Sequence, residues 1–357
     1  MGLHIYAGTG RGVVAITEEN GSGWQINERR CLPEWEITEL AVDDAGHLIA
    51  GTRGDGVWLQ VDDSWEGRTG GWKKPSYGRR GPGKVHCVTV DPVDPKTIYV
   101  GTEPIGIWVT HDGGENWEAM ESILDLPTIP EIWYPVPSVE PHVRDITIDP
   151  RNRDVMYAAL QVGYLAKSTD RGKTWRLLNG GIDADVHTLT IHPADSNAIL
   201  ATTGGHGHRK GETEGKALYI SRDAGETWSP MAMEFEQDYS VAMAMHPGNP
   251  DILISAVANG PPRWQRPTGA EALLIASKDG GASWHAVETG FEGIGPEFPG
   301  AMAFDPVNPD DIYVCTHKGN LLRSRDGGAD WERIPLDLAG FGGLAERGLS
   351  DIKIFHT

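Results

Sequence analysis

The sequence predicts an all-β chain folded as a seven-bladed β-propeller of four-stranded antiparallel blades, its ring closed by the C-terminal strand. Three observations predict it. Seven of the thirteen tryptophans, Trp24, Trp72, Trp117, Trp175, Trp228, Trp284 and Trp331, fall in one phase at intervals of 48, 45, 58, 53, 56 and 47 residues, and a period of that length marks stacked supersecondary units. Apolar segments closed by Asp-Pro or His-Pro recur upstream of most of them. The 46 glycines and 24 prolines are spread along the whole chain, which suits short strands joined by turns and leaves no place for long helices.

The first strand of each unit is the apolar segment before the proline: Val88 to Pro92, Ile146 to Pro150, Leu189 to Pro193, Met243 to Pro247 and Met302 to Pro306. A second strand follows a turn, as in Thr97 to Thr102 and Asp311 to Thr316, and a third follows it, as in Gly106 to Thr110. The fourth starts at the phased tryptophan. His4 to Thr9 and His47 to Thr52 match second strands. The first unit therefore has no first strand of its own at the N-terminus, while Asp351 to Phe355 is left over after the seventh tryptophan. Letting that last strand complete the first blade removes open edges. One domain, 1–357, is expected.

The turn between third and fourth strands carries the most specific motif. It reads Ser168-Thr-Asp170-Arg-Gly172-Lys-Thr174-Trp175, and again from Ser221 to Trp228 and from Ser277 to Trp284; in looser copies from Thr110 to Trp117 and from Ser324 to Trp331, Asn116 and Asp330 replace the hydroxyl residue. An Asp in a turn accepts backbone N–H groups two or three residues on, Gly permits a positive φ, and Trp buries a large ring between units. The motif resembles the Asp-box, or BNR repeat, of the sialidase-like and sortilin-like propellers, over essentially the whole chain. That resemblance implies a structural motif lying away from any active site. It does not imply a true sialidase: no Arg-Ile-Pro segment stands near the N-terminus, seven units replace six, and the arginines are not spaced for a carboxylate-binding triad. Related endo-glucanase propellers use two aspartates in an open groove and usually a second propeller. A carboxylate pair here would be sought among Glu36, Glu39, Glu103 and Asp351.

Charge narrows the partners. Lys plus Arg number 31 against 51 Asp plus Glu, a balance of −20, so a phosphate backbone is repelled and nucleic acid is not expected. Cys31, Cys87 and Cys315 are too scattered for a disulfide framework or a thiolate cage and read as small buried hydrophobes. No apolar run nears the roughly 20 residues of a membrane span, and no leader pattern opens the sequence. A cytoplasmic location without membrane contact is expected. The run from Gly8 to Gly12 lacks the spacing of a dinucleotide fingerprint, so no nucleotide cofactor is expected. Asn20-Gly-Ser22 is read as a hairpin turn rather than a used glycosylation sequon.

Long insertions choose the functional face, since binding and catalysis concentrate in loops over a rigid scaffold. Residues 118–142, 204–215 and 259–267 all lie in the connections expected opposite the Asp-box turns. Counting five places back from each Asp-Pro or His-Pro gives Thr38, His86, Arg144, His187, Val241 and Gly300, with Asp351 as counterpart in the closing strand. Three consecutive blades thus place His, Arg and His at one mouth. Catalytic candidates are His86, His187, Arg144 and Tyr239; an imidazole would serve as general base, Arg144 would hold a carboxylate or oxyanion, and Tyr239 would donate a proton. Substrate-binding candidates are Arg53, Glu103, His142, Trp133, Tyr134, Trp264 and Asn259. The alternative is a divalent metal, zinc, manganese or iron, held among His86, His187, His206, His208 and His317.

These residues point to a hydrolase or lyase acting on a small or carbohydrate-derived, anionic molecule. The alternative is a non-catalytic propeller that binds a ligand, or assembles proteins as some propellers of photosynthetic assembly do.

Overall fold

Strands form here because the apolar runs are short, β-branched and broken by turn residues every few positions. The second strands Leu48–Thr52, Ile98–Glu103, Met156–Leu160, Leu253–Val257 and Ile312–Thr316 are buried at every residue. Such continuous burial means a strand covered on both faces, which is why these runs do not alternate with polar residues. Fourth strands are short and exposed, as in Glu118–Ala119 and His285–Ala286, and short edges invite little pairing with other chains.

The computed structural model describes residues 2–19, 23–43, 46–70, 72, 84–132, 140–261, 269–290, 297–336, 338–341 and 351–356. Seven antiparallel sheets make up a seven-bladed β-propeller. The first blade runs in the order Asp351–His356, Leu3–Thr9, Gly12–Glu19, Gly23–Ile26, with Leu32–Pro33 added on Gly12–Glu19. The C-terminal strand pairs along Leu3–Thr9 from Leu3 opposite His356 to Gly8 opposite Asp351, as the missing first strand required. The inner strands of the second to seventh blades are Ile37–Val42, Lys84–Val90, Val143–Ile148, Val186–His192, Met243–Met245 and Pro299–Phe304. The longest α-helix among the described residues is the five-residue His206–Lys210.

Two compact units divide the chain. One, Met1–Ile37 with Met231–Thr357, holds the first, sixth and seventh blades; the other, Thr38–Pro230, holds the second to fifth. In the second unit Trp117 is buried, stands edge-on to Trp72 and donates its indole N–H to the Arg68 carbonyl at 3.1 Å, while Trp72 stacks on Trp108. Residues 118–132 do not rise as a free loop. Ile123, Leu126 and Ile129 pack into the apolar cluster of Tyr99, Ile107, Val143 and Leu160. In the first unit Gly12 has a reason to be glycine: a Cβ there would stand 1.6 Å from the Leu32 carbonyl oxygen. Cys87 and Cys315 are buried in core clusters with thiols pushed up by burial, as small hydrophobes would be.

The Ser/Thr-x-Asp-x-Gly turns repeat one bond set. Ser168 Oγ donates to Asp170 Oδ1 at 2.8 Å and accepts Gly172 N at 2.7 Å; Asp170 accepts Thr174 N at 2.9 Å and Thr174 Oγ1 at 2.6 Å. The turns at Asp223 and Asp279 match. Asn116 substitutes its side-chain amide, at 2.9 Å from Asp112 Oδ2, whereas Asp330 offers Asp326 only its backbone N–H.

Candidate functional site

The phased positions share a backbone device that spacing alone does not reveal. In the third blade Gly101 pairs with Cys87 and Thr102 with Val85, so His86 is the extra residue of a β-bulge. Arg144 between Val143 and Asp145, and His187 between Val186 and Thr188, occupy the same place in the fourth and fifth blades. A bulged residue leaves the ladder and its side chain is re-aimed, which is why bulges gather next to functional sites. In the other unit Gly300 is bulged in the same way but brings no side chain.

Within Thr38–Pro230 these side chains join through hydrogen bonds. His86 Nε2 lies 2.9 Å from Glu103 Oε2, and Lys84 Nζ lies 2.5 Å from Glu103 Oε1, which also accepts Glu140 N at 3.1 Å. The His86 and His142 rings stack at 3.8 Å between centroids and 14° between planes. His142 Nδ1 is 2.9 Å from the Glu140 carbonyl oxygen. A carbonyl only accepts, so Nδ1 carries the proton; by the same logic His86 presents its Nε2–H to the Glu103 carboxylate. Burial, and then the charges of Arg53, Arg144 and Lys84, hold His86 well below the ordinary imidazole range. Burial, His86 itself and Arg144 do the same to His142. Both rings are neutral near pH 7, which is what allows them to stack so closely.

The fourth and fifth blades continue the cluster. Arg144 Nη1 donates to Gln161 Oε1 at 3.5 Å, Gln161 Nε2 donates to Asp185 Oδ1 at 2.7 Å, and His187 Nε2 stands 3.5 Å from the same oxygen. Burial pushes the Asp185 carboxyl up, but His187, Arg144 and His206 together hold it below its ordinary value. Gly204 makes room for this pair, since a Cβ there would stand 2.1 Å from Asp185 Oδ2 and 3.0 Å from His187 Cε1. Asp183, fully buried, accepts the backbone N–H groups of Asp185, His206, Gly207 and His208 at 2.7 to 3.1 Å. His206 and His208 are therefore carried by a tethered helical turn.

The structure thus brings together His86, Glu103, His142, Arg144 and His187 from the sequence-predicted set. Arg53 contributes charge near His86. Tyr239, Asn259 and His317 belong to the other compact unit: Tyr239 stands edge-on to Phe298, Asn259 bonds the Glu271 carboxylate, and His317 Nδ1 accepts Phe298 N at 2.7 Å. Trp133, Tyr134 and Trp264 lie outside the described residues, as does the Asn20 to Ser22 turn. Sequence reasoning missed Lys84 and Asp185. The signal was present, because each precedes a bulged residue by two, as His142 precedes Arg144. Of the carboxylates considered as an acid–base pair, Glu39 accepts Val88 N at 2.8 Å and Asp351 pairs with Lys353 at 3.0 Å.

Among the described residues, the group whose ligand atoms could surround a metal ion is His86, Glu103 and His142, all within 4.8 Å of one another, rather than the five histidines expected. Its geometry is that of hydrogen bonding. Two nearly parallel rings 3.8 Å apart cannot both direct an in-plane lone pair at one ion 2.0–2.1 Å away without rotating, and Lys84, Arg53 and Arg144 add cationic charge beside it.

Comparison with known proteins agrees with the architecture. A family model described as "Sortilin, neurotensin receptor 3" matches residues 107–237 and 163–272. An uncharacterized membrane glycoprotein of Saccharomyces cerevisiae is 26% identical over 102 residues, covering 27% of this chain and 20% of that protein. Among solved structures, the GH74 xyloglucanase from Xanthomonas campestris superposes with a TM-score of 0.59 at 18% identity, covering 83% of this chain and 45% of that one. YCF48 bound to D1 peptide gives 0.55 at 16% identity, covering 87% and 83%. This chain therefore spans a fifth of the yeast relative and less than half of the xyloglucanase. At these identities the structural likeness is one of fold. The family match spans residues 107–272, less than half of the chain, so the chain is similar to the sortilin family there, while the seven antiparallel sheets make it a β-propeller.

Proposed function

We propose that the chain is a hydrolase or lyase acting on a small, carbohydrate-derived anionic molecule at the cluster of Lys84, His86, Glu103, His142, Arg144, Gln161, Asp185 and His187. One observation carries this reading. Arg144, a partly buried guanidinium with five donors, has as its hydrogen bond among the described residues one 3.5 Å contact to a neutral amide. No carboxylate of the described residues lies within ion-pair distance of it, although the chain is strongly acidic. A desolvated cation without a counter-ion is costly to keep unless a ligand supplies the charge. Gln161 ties that guanidinium to Asp185 and hence to His187. In the reaction Arg144 holds the anionic group, and Asp185 orients His187 so that its other nitrogen takes a proton from water or from carbon. His86 returns a proton to the leaving oxygen. General acid–base groups of this kind contribute roughly 10²- to 10⁴-fold each.

The test is a turnover screen over sugar acids, their glycosides and lactones, with Arg144→Met and His187→Ala beside wild type. Loss of at least about 10²-fold in each variant is expected. Equal rates in all three would move the chemistry elsewhere. A second reading, a scaffold without turnover, is favoured by the near-complete coverage of YCF48, a protein solved with a bound peptide. It predicts no turnover in any screen and retention of a peptide ligand.

A further inference from the structure

We infer that Gln161 is a positioning residue that sets the selectivity of this site: a neutral amide stands where a carboxylate would neutralise Arg144, and the guanidinium is thereby kept for an anionic ligand. The inference rests on the reading of Arg144 as the anion-holding group and adds what makes that group selective.

Neighbouring blades hold the alternatives side by side. In each, 17 positions separate the bulged residue from the residue at the end of the second strand: His86 from Glu103, Arg144 from Gln161 and His187 from Gly204. In the third blade the partner is a carboxylate, 2.9 Å from the imidazole. In the fifth it has no side chain, and a Cβ there would stand 2.1 Å from Asp185 Oδ2, so another carboxylate occupies the place. In the fourth, where the bulged residue is the guanidinium, the partner is an amide. Glu and Gln reach equally far and differ in charge, and a carboxylate is the group that engages a guanidinium fork through two short charge-assisted bonds. The amide accepts from it once, at 3.5 Å.

The orientation of that amide follows from its other bond. Asp185 Oδ1 only accepts, so the group 2.7 Å from it is the Gln161 NH2, and the carbonyl oxygen is the end that meets Arg144. Gln161 is buried and bonded to both, and it stands between the guanidinium and the Asp185 carboxylate. Its hairpin is tied at two points: Gln161 N donates to the His142 carbonyl and Tyr164 N to the Ala184 carbonyl, each at 3.0 Å. Within it Val162 takes a φ of 58° and Tyr164 a φ of 64°, a left-handed conformation that is costly for a β-branched side chain above all. Such strain persists where the surroundings over-determine the backbone, and it gathers at ligand sites.

The experiment is calorimetric titration of the full chain with D-glucuronate and with D-glucuronamide, which share a shape and differ in charge. Wild type should bind glucuronate at least about tenfold tighter, and Arg144→Met should erase that preference. The decisive variant combines Gln161→Glu with Asp185→Asn. This exchange keeps the net charge and a hydrogen bond between the two positions but moves the carboxylate onto Arg144, so its two Kd values should lie within about threefold of each other. Asp185→Asn alone and Gln161→Met place no carboxylate beside Arg144 and should keep the preference. A merely structural role for Gln161 would weaken both ligands equally and leave their ratio unmoved. Retention of the preference by the exchange variant, or its loss in Gln161→Met, overturns this inference and leaves the role of Arg144 standing. Wild type that binds neither ligand or both alike, or a preference that survives Arg144→Met, overturns the role of Arg144 and this inference together. The turnover screen separately decides whether the chain is an enzyme.

Discussion

The Ser/Thr-x-Asp-x-Gly turns, present in five blades, and the bulged entries of the inner strands, seen in four, both recur around the repeats and yet behave oppositely. At the turns of Asp170, Asp223 and Asp279 the same residue types return and the same four bonds form, each aspartate being engaged by its own loop. At the entries the backbone device returns while the side chain changes from His86 to Arg144 to His187 to Gly300. Repetition with constant chemistry solves a local folding problem, that of closing the turn before the fourth strand. Repetition of geometry with divergent chemistry builds a site that the molecule needs once.

Trp117→Ala removes a buried ring wedged against Trp72 and should cost about 3–5 kcal/mol in denaturant unfolding; a cost under about 1 would mean the box tryptophans do not cement the blades. Gly204→Ala forces a methyl into the Asp185 carboxylate and should cost about 1–3 kcal/mol while dispersing the Asp185–His187 contact. By contrast Arg144→Met, which takes away a cation with no carboxylate of the described residues within ion-pair distance, should leave stability unchanged or raise it by up to about 1 kcal/mol, the usual signature of a functional group held at a cost. A clear loss of stability would make Arg144 structural after all.

The smallest effect is in acid. Side-chain hydrogen bonds from Asn116, Thr174 and Ser283 hold the carboxyls of Asp112, Asp170 and Asp279 down to about 2, from 3.8. A depressed folded value contributes stability above the unfolded value that disappears as pH falls through the folded one. The turns should therefore loosen between about pH 4 and 2, with Asp170→Asn flattening that part of the profile more than Asp326→Asn, whose turn lacks the side-chain donor. Equal effects of the two substitutions would show that the fourth bond contributes nothing.

How much was legible follows from these particulars. Blade number, strand order and the use of Asp351–His356 to complete the first blade could be read from periodicity, because hydrophobic phase and turn chemistry are local properties. His86, Arg144 and His187 were legible as a phase. The bulges were not, since an extra residue in one strand is defined only against its partner strand. Nor were the pairing of Glu103 with Lys84 and His86 across one blade, or the passage through Arg144 and Gln161 of the next blade to Asp185, because they join residues that lie 17 to 41 positions apart in the chain.

By itself the amino-acid order determined the architecture and the ring of positions where unusual side chains gather, because burying seven repeated apolar faces admits few arrangements. Only the tertiary structure decided which of those side chains touch, which tautomers they adopt and which charge is left without a partner. Proton positions and charge balance depend on distances of a few ångströms between separate blades, and no local pattern encodes those.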